Sequence, residues 1–224
     1  MVKIDAFELD GPRHDPASGG PARQLIILLH GLGADGNDLI GLAPQLGQIL
    51  PDAAFVSPHA PFPCDMAPFG HQWFSLQDLR PEAVLSGVQT AAPALNDFID
   101  RELERHGLDD GQLALFGFSQ GTMMALYVSL RRAKPCAAVV GFSGVLIGGE
   151  ELAEEIVSRP PVLLVHGDAD EVVPVQALPA AVAALEANKV PVTSQVRPGL
   201  GHGIDPTGLG LAVGALQSAF GLDR

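Results

Sequence analysis

Gly117-Phe118-Ser119-Gln120-Gly121 follows the apolar run at residues 113–116 and precedes a helix-like segment that begins at Thr122. A Gly-x-Ser-x-Gly pattern between a strand and a helix is typical of a sharp turn that exposes the serine hydroxyl. The strained backbone of such a turn crowds its neighbours, so the positions two before and two after the serine must be glycine. The pentapeptide at 141–145 also follows an apolar run but lacks the second glycine. We therefore select Ser119 over Ser143 as the candidate nucleophile.

Apolar runs of strand length alternate with helical spacing on both sides of this turn. Strands are predicted at 24–29, 53–57, 113–116, 137–140, 162–165 and 193–196, and helices at 38–50, 81–106, 122–133, 149–157, 175–189 and 206–220. The alternation predicts an α/β fold with a mostly parallel central sheet and helices on both faces. Residues 4–9 are expected to add an antiparallel edge strand. We predict one domain spanning residues 1–224, a length that suits a single core.

Local signals also predict where two helices begin and end. Pro81 suits a first helical turn and Gly107 a C-terminal cap. Pro93 interrupts the pattern between them without changing its phase, so we expect a kink there rather than a boundary. Asp205 followed by Pro206 predicts the N-cap and first position of the last helix.

Composition excludes several classes of partner. The formal net charge is −13, which argues against nucleic acid or an anionic membrane surface, since both attract basic patches. No segment reaches the ~18 consecutive apolar residues of a membrane span. The first residues carry charges where a signal peptide needs an apolar stretch, so we expect a cytoplasmic protein. Cys64 and Cys136 lie far apart in sequence and are expected to be reduced bystanders.

A serine nucleophile needs a base, usually a histidine that a carboxylate holds in one tautomer. In open α/β sheets such residues lie just beyond the carboxyl ends of the strands. His202 follows the last predicted strand in a glycine-rich loop with room to reach another loop, so we select it as the base. His30 and His166 directly follow strands and compete for the role, although each precedes glycine and suits a structural hydrogen bond.

Two aspartates compete for the carboxylate role. Asp168 and Asp170 both follow the strand predicted at 162–165. We favour Asp170, because Asp168 is well placed to close the turn by bonding its own backbone. The order Ser119, Asp170, His202 is the order found in hydrolases of the α/β type.

The transition state of acyl transfer develops an oxyanion that needs fixed donors. We assign one donor to the backbone N–H of Gln120, the residue after the nucleophile. The other is assigned to Leu32, in the glycine-rich loop at 30–36. Phosphate binding is the rival interpretation of this loop, but it lacks the sequence of a P-loop and the spacing of a dinucleotide fingerprint.

The long irregular segment at 58–81 is rich in aromatic residues and histidines. Loops of this length are often functional. We predict that Phe69, Trp73 and Phe74, together with Leu146 after the strand at 137–140, border a substrate groove at the catalytic face. His59 and His71 are further candidates for the pocket lining. The alternative is that this loop packs onto its own scaffold.

These motifs together resemble the phospholipase/carboxylesterase family, which includes acyl-protein thioesterases and small bacterial carboxylesterases. The resemblance covers nearly the whole chain and rests on residues 29–33, 73–74, 117–121, 166–170, 173–174 and 201–202. It implies a compact α/β-hydrolase fold without a large cap, a triad of Ser119, Asp170 and His202, and oxyanion donors at Leu32 and Gln120. It also implies hydrolysis of carboxylic esters or thioesters without a cofactor or metal.

The expected function is therefore that of a serine carboxylesterase acting on short to medium acyl esters of small molecules. The nearest alternative is an acyl-protein thioesterase or lysophospholipase that uses the same triad on long acyl chains. A non-catalytic binding module is the alternative from another class, because a fold does not fix a function. The sequence leaves open whether the chain works alone or as a homodimer.

Overall fold

The computed structural model describes residues 8–222 and has a seven-stranded sheet at its centre. The strands in chain order are β1 (Arg13–His14), β2 (Gln24–Leu29), β3 (Ala53–Val56), β4 (Phe62–Pro63), β5 (His71–Gln72), β6 (Leu113–Phe118), β7 (Ala138–Phe142), β8 (Val162–Gly167) and β9 (Val192–Arg197). The central sheet has the order β1-β3-β2-β6-β7-β8-β9, and β4 pairs with β5 in a separate hairpin. All neighbours in the central sheet are parallel except β1 and β3.

Helices cover both faces of the sheet, as the alternating sequence pattern predicts. They are α1 (Gly36–Leu39), α2 (Ala43–Ile49), α3 (Pro81–His106), α4 (Gln120–Ser129), α5 (Leu152–Glu155), α6 (Ala177–Ala187) and α7 (Pro206–Ala219). Core residues of α3, α4, α5 and α6 form one cluster, and those of α1, α2 and α7 form the other.

Strand β2 shows why both layers are needed. Leu25, Ile27 and Leu29 belong to one core, and Ile26 and Leu28 belong to the other, because side chains alternate across a strand. A strand buried on both faces is apolar throughout, which is the pattern expected in a parallel sheet.

Helix α3 has the predicted bounds and continues through Pro93 without a break. Gly107 caps it with a φ of 66°, in the left-handed region that glycine tolerates. The Asp205 side chain accepts a hydrogen bond from the backbone N–H of Gly208, which confirms the predicted N-cap of α7.

The antiparallel edge of the sheet comes from Arg13–His14, which pairs with Val56 and Phe55. The edge strand predicted at 4–9 falls largely outside the described residues, and Glu8 and Leu9 themselves are not in a strand. Parallel strands place all their carboxyl ends at one edge, so the loops after β2, β6, β8 and β9 can form one site.

Candidate active site

Ser119 occupies the sharp turn between β6 and α4. Its backbone has a φ of 53° and a ψ of −118°, a strained conformation for a residue with a side chain. A Cβ atom on Gly117 would lie 2.5 Å from the Thr122 backbone nitrogen, and one on Gly121 would lie 1.9 Å from the Leu29 carbonyl oxygen. The two glycines are therefore required because the turn packs tightly against α4 and β2.

Ser143 directly follows β7 in a similar turn, with a φ of 49°. Its side chain is fully buried, whereas Ser119 is 8 % exposed and lines a cavity. A substrate could therefore reach Ser119 but not Ser143.

The loops after β8 and β9 bring Asp170 and His202 together. The Nδ1 atom of His202 lies 2.8 Å from the Oδ2 atom of Asp170. A carboxylate only accepts hydrogen bonds, so Nδ1 donates and the Nε2 atom of a neutral ring is left as the acceptor. That is the tautomer a base facing a serine hydroxyl requires.

Asp170 is fixed from several sides. Its Oδ1 atom accepts hydrogen bonds from the backbone N–H groups of Val172 and Val173, at 2.9 and 2.8 Å. Burial alone would raise the pKa of Asp170, but hydrogen bonds from His202 and from these two N–H groups lower it below its ordinary value. The carboxylate therefore stays ionised and holds the imidazole in place.

Asp168 has a different structural role from the one expected. Its Oδ1 atom accepts a 2.7 Å hydrogen bond from the backbone N–H of Gly199, in the loop that carries His202. It is Asp170, rather than Asp168, that accepts hydrogen bonds from the backbone of its own turn. The two aspartates therefore both stabilise the His202 loop, one through backbone and one through the imidazole.

His166 lies close to the same carboxylate but is held by backbone. Its Nε2 atom donates to the Val173 carbonyl oxygen at 2.9 Å and lies 3.4 Å from the Oδ2 atom of Asp170. The ring is fully buried and does not line the cavity at Ser119. The structural hydrogen bond expected for this residue is therefore present.

A cavity of about 390 Å³ is lined by Ser119, His202 and Leu32, among other residues. Most of the remaining wall is apolar, including Leu76, Leu79, Val84, Met123, Val145 and Ile147. At its rim, Leu79 is 73 % and Val172 67 % exposed. Large apolar side chains exposed together beside a cavity are typical of an entrance for an apolar ligand.

His30 contacts the loop that carries Leu32. Its Nε2 atom accepts a hydrogen bond from the Ala60 N–H at 3.0 Å, and its Nδ1 atom therefore donates to the Gly31 carbonyl oxygen at 2.8 Å. Burial lowers the pKa of His30 to about 4, so the ring is neutral near pH 7.

The segment from His71 to Phe74 contacts both halves of the expected oxyanion site. The backbone of His71 forms hydrogen bonds with Gly33 and Ala34, at 2.9 and 2.7 Å. The side chain of Gln120 accepts from the Trp73 N–H at 2.8 Å and donates to the Phe74 carbonyl oxygen at 2.7 Å. Gln120 is fully buried, and its side chain is committed to this segment.

The predicted aromatic wall is not where the sequence placed it. Trp73 and Phe74 are fully buried in the core, and the indole N–H of Trp73 donates to the His30 carbonyl oxygen at 3.1 Å. Phe69 is 75 % exposed and does not line the cavity at Ser119. The expectation that these three aromatic residues border the substrate groove is therefore corrected: Trp73 and Phe74 pack onto the scaffold, and Phe69 is exposed outside the cavity.

Leu146 lines a second cavity of about 530 Å³. This cavity shares Leu79, Val84, Val145 and Ile147 with the first one. The two spaces thus share apolar walls, and Leu146, contrary to expectation, lines the second cavity rather than the one at Ser119.

Several lining residues were missed by sequence reasoning although a signal was available. Phe118 precedes the serine, Met123 lies one helical turn after it, and the segment at 172–174 follows Asp170. Adjacency to Ser119 and Asp170 would have found these residues. Leu76 and Leu79 come from the long loop, whose path is not encoded by a local pattern.

The other residues that the sequence singled out have structural surroundings. The Nδ1 atom of His59 accepts from the Gly36 N–H at 3.2 Å, and that of His71 donates to the Ala60 carbonyl oxygen at 2.9 Å. Neither histidine lines the cavity at Ser119. Cys64 and Cys136 are buried free thiols, and burial raises the pKa of Cys136 to about 12.

Within residues 8–222, no group of three or more His, Cys, Asp or Glu side chains is arranged to hold a metal ion. The helices of the same part of the chain include none with the length and apolar character needed to cross a bilayer.

Comparison with known proteins identifies the family. Residues 16–218 match the Phospholipase/Carboxylesterase family. Esterase YpfH of Escherichia coli K12 is 28 % identical over 216 residues, which cover 96 % of this chain and 89 % of that protein. Acyl-protein thioesterase 1 of Neurospora crassa is 30 % identical over 166 residues, which cover 66 % of this chain and 67 % of that protein.

Solved structures give the same assignment. Esterase PE8 has a TM-score of 0.91 at 42 % identity, covering 95 % of this chain and 99 % of that one. Acyl-protein thioesterase 2 of Zea mays has a TM-score of 0.72 at 25 % identity, covering 94 % and 99 %. The chain belongs to the phospholipase/carboxylesterase family of α/β-hydrolases, and these relatives are named as esterases and thioesterases.

Proposed function

We propose that this protein is a serine carboxylesterase that hydrolyses short to medium acyl esters of small molecules through an acyl-enzyme. The observation that carries the proposal is the 2.8 Å contact between His202 and the buried Asp170, with His202 and Ser119 in the wall of one apolar cavity. A base, its orienting carboxylate and a strained, accessible serine are the parts that nucleophilic ester hydrolysis requires.

The reaction follows from these roles. Ser119 attacks the ester carbonyl carbon while the Nε2 atom of His202 accepts the serine proton. The resulting imidazolium returns that proton to the leaving alcohol oxygen as the carbon–oxygen bond breaks. Water then attacks the acyl-enzyme with His202 as base again, which releases the carboxylic acid and restores Ser119. Asp170 stabilises the imidazolium formed in each half of the cycle.

The backbone N–H groups of Leu32 and Gln120 are the proposed oxyanion donors. Leu32 lines the cavity, and Gln120 directly follows the nucleophile at the start of α4. Hydrogen bonds join residues 71–74 to the Gly33 and Ala34 backbone and to the Gln120 side chain, and they fix both neighbourhoods before substrate arrives. Such preorganised donors stabilise the oxyanion without a reorganisation cost during the reaction.

The acyl chain is proposed to lie along the apolar walls beside Ser119. Each buried methylene contributes about 0.8 kcal/mol, so kcat/KM should rise by up to about fifteenfold per two-carbon step until the space is filled. The cavity of about 390 Å³ suits a chain of short to medium length.

One observation favours a second candidate, an acyl-protein thioesterase or lysophospholipase acting on long chains. The second cavity, of about 530 Å³, shares four apolar wall residues with the first, so a longer chain could continue along Leu146. The same triad would serve both reactions, because the thiol or alcohol leaving group departs by the same route.

The deciding experiment is hydrolysis of a series of acyl esters from C2 to C16 beside matched thioesters. We expect an optimum between C4 and C8, loss of activity in Ser119→Ala, and labelling of Ser119 alone by a fluorophosphonate. Ser143→Ala is the matched control and should keep its activity within about threefold. A C16 thioester that outruns the C4 to C8 esters by about tenfold or more would instead favour the long-chain candidate.

A further inference from the structure

A separate recess borders the loop that carries His202. It has a volume of about 270 Å³ and is lined by Asp38, Leu39, Gly41, Leu42, Phe118 and Ile204. Among the residues that the structure describes, Phe118 is the one that lines both this recess and the cavity at Ser119. The Phe118 ring lies 4.9 Å from the His202 ring, centroid to centroid, and Ile204 lies two residues beyond His202.

The position of the recess matters because of what His202 has to do. An ester has two parts, and the acyl part is placed by the proposed function along the apolar walls at Ser119. The leaving oxygen must approach the Nε2 atom of His202 to receive its proton. The rest of the alcohol therefore needs space next to the His202 loop that the acyl chain does not occupy, and this recess borders that loop.

We propose that the recess receives the alcohol part of the ester, and that Asp38 makes it select uncharged or cationic alcohols over anionic ones. The inference rests on the proposed function, because it assigns the second half of the same substrate. It names a substrate class that the triad alone does not specify.

The charge of the recess supports this selection. Among the described residues of the lining, Asp38 is the one that carries a charge, and its carboxylate forms no hydrogen bond or ion pair with residues 8–222. Phe118 adds an aromatic ring to the same lining. A carboxylate and an aromatic ring in the lining of one recess are a favourable setting for a small ammonium group.

The magnitude is modest because Asp38 is exposed to solvent. An exposed ion pair stabilises by up to about 1 kcal/mol, which corresponds to about fivefold in kcat/KM. An anionic alcohol loses a comparable factor at Asp38, and the net charge of −13 also slows its approach.

Three butyrate esters with the same acyl group test the inference. Butyrylcholine carries a cationic alcohol, 3,3-dimethylbutyl butyrate carries its uncharged carbon isostere, and the butyrate ester of isethionate carries an anionic alcohol. We measure kcat/KM for all three at low ionic strength, where screening is weakest. The variants are Asp38→Asn and Asp38→Lys, with Asp97→Asn and Asp97→Lys as controls on the exposed face of α3.

The ratio of kcat/KM for the choline ester to that for its isostere should fall about fivefold in Asp38→Asn and further in Asp38→Lys. The isethionate ester should become a better substrate in the same order. The dimethylbutyl ester should change less than about twofold in every variant, because its alcohol is uncharged. The Asp97 controls should leave the choline ratio within about twofold of the parent protein.

An unchanged ratio in both Asp38 variants would overturn the recess assignment and leave the esterase proposal intact. Equal shifts in the Asp97 controls would also overturn it, because the whole-molecule field would then explain the selectivity. Absence of Ser119-dependent hydrolysis of all three esters would overturn the proposed function and this inference together.

Discussion

His30 offers the sharpest test of the proposed oxyanion site. Its Nδ1 atom donates to the Gly31 carbonyl oxygen at 2.8 Å, and its Nε2 atom accepts from the Ala60 N–H at 3.0 Å. In a trans peptide, the carbonyl of one residue and the N–H of the next point in opposite directions. A Gly31 carbonyl held toward His30 therefore turns the Leu32 N–H away from it. We expect His30 to act as a positioning residue for that donor.

Two substitutions separate the two nitrogen atoms of the ring. His30→Asn can place an amide nitrogen where Nδ1 lies, which keeps the bond to Gly31 and loses the one to Ala60. His30→Gln can place an amide oxygen where Nε2 lies, which keeps the bond to Ala60 and loses the one to Gly31. Each variant leaves a buried backbone group without its partner, so each should lower the free energy of unfolding by about 1–3 kcal/mol.

Only His30→Gln should damage catalysis. Loss of one oxyanion donor costs about 10²–10³ in kcat elsewhere, and a misoriented Leu32 N–H should cost about 10², the lower end of that range. His30→Asn should keep kcat within about fivefold of the parent protein. KM should change little in either variant, because the interaction strengthens in the transition state.

The assay combines steady-state hydrolysis of a soluble butyrate ester, the inhibition constant of a trifluoromethyl ketone, and unfolding in urea. In His30→Gln, the inhibitor should weaken in proportion to kcat. Equal losses of kcat in the two variants would refute the reasoning, because a purely structural histidine would produce that pattern. So would a kcat within about threefold of the parent protein in His30→Gln.

Three further predictions concern neighbouring residues. Asp170→Asn should lower kcat by about 10⁴-fold through the wrong tautomer of the base, whereas Asp168→Asn should stay within about tenfold, since its Oδ1 atom can still accept from the Gly199 N–H. Because the pKa of His30 is lowered in the folded protein, the unfolded chain binds the extra proton first as pH falls. About 3 kcal/mol of stability, present above pH ~6.5, should therefore be lost as pH falls to about 4. Urea unfolding of His30→Asn should lack that part of the pH dependence. Trp73→Phe should lower the free energy of unfolding by about 2 kcal/mol without moving the acyl-chain optimum, and a moved optimum would restore Trp73 to the substrate groove.

The sequence predicts what local signals control. The bounds of β2 and α3 agree with the structure because an apolar run, a first-turn proline and a capping glycine each act within a few residues. The strained serine turn is equally local. Its two glycines are fixed by contacts of the turn with α4 and β2, and the pattern of the pentapeptide encodes both.

The sequence does not predict contacts between distant segments. Trp73 and Gln120 are 47 residues apart, and their hydrogen bond depends on how the long loop crosses the sheet edge. A loop that buries its aromatic side chains and a loop that lines a groove with them can have the same composition. The sequence therefore could not distinguish the two cases for Trp73. The turn-closing role predicted for Asp168 belongs to Asp170 instead, because the loop after β9 supplies the partner of Asp168.

The path of the long loop changes the expected role of residues 71–74. The backbone of His71 forms hydrogen bonds with the loop that carries Leu32, one proposed oxyanion donor. Trp73 and Phe74 form hydrogen bonds with the side chain of Gln120, whose backbone N–H is the other proposed donor. Two donors from separate segments of the chain must stay at a fixed distance to stabilise one oxygen atom. A buried segment that bonds to both of them can hold that distance, whereas a side chain in the groove could not. Substitutions in residues 71–74 should therefore act on kcat and stability, and selectivity should change through Leu79, Leu146 and Asp38.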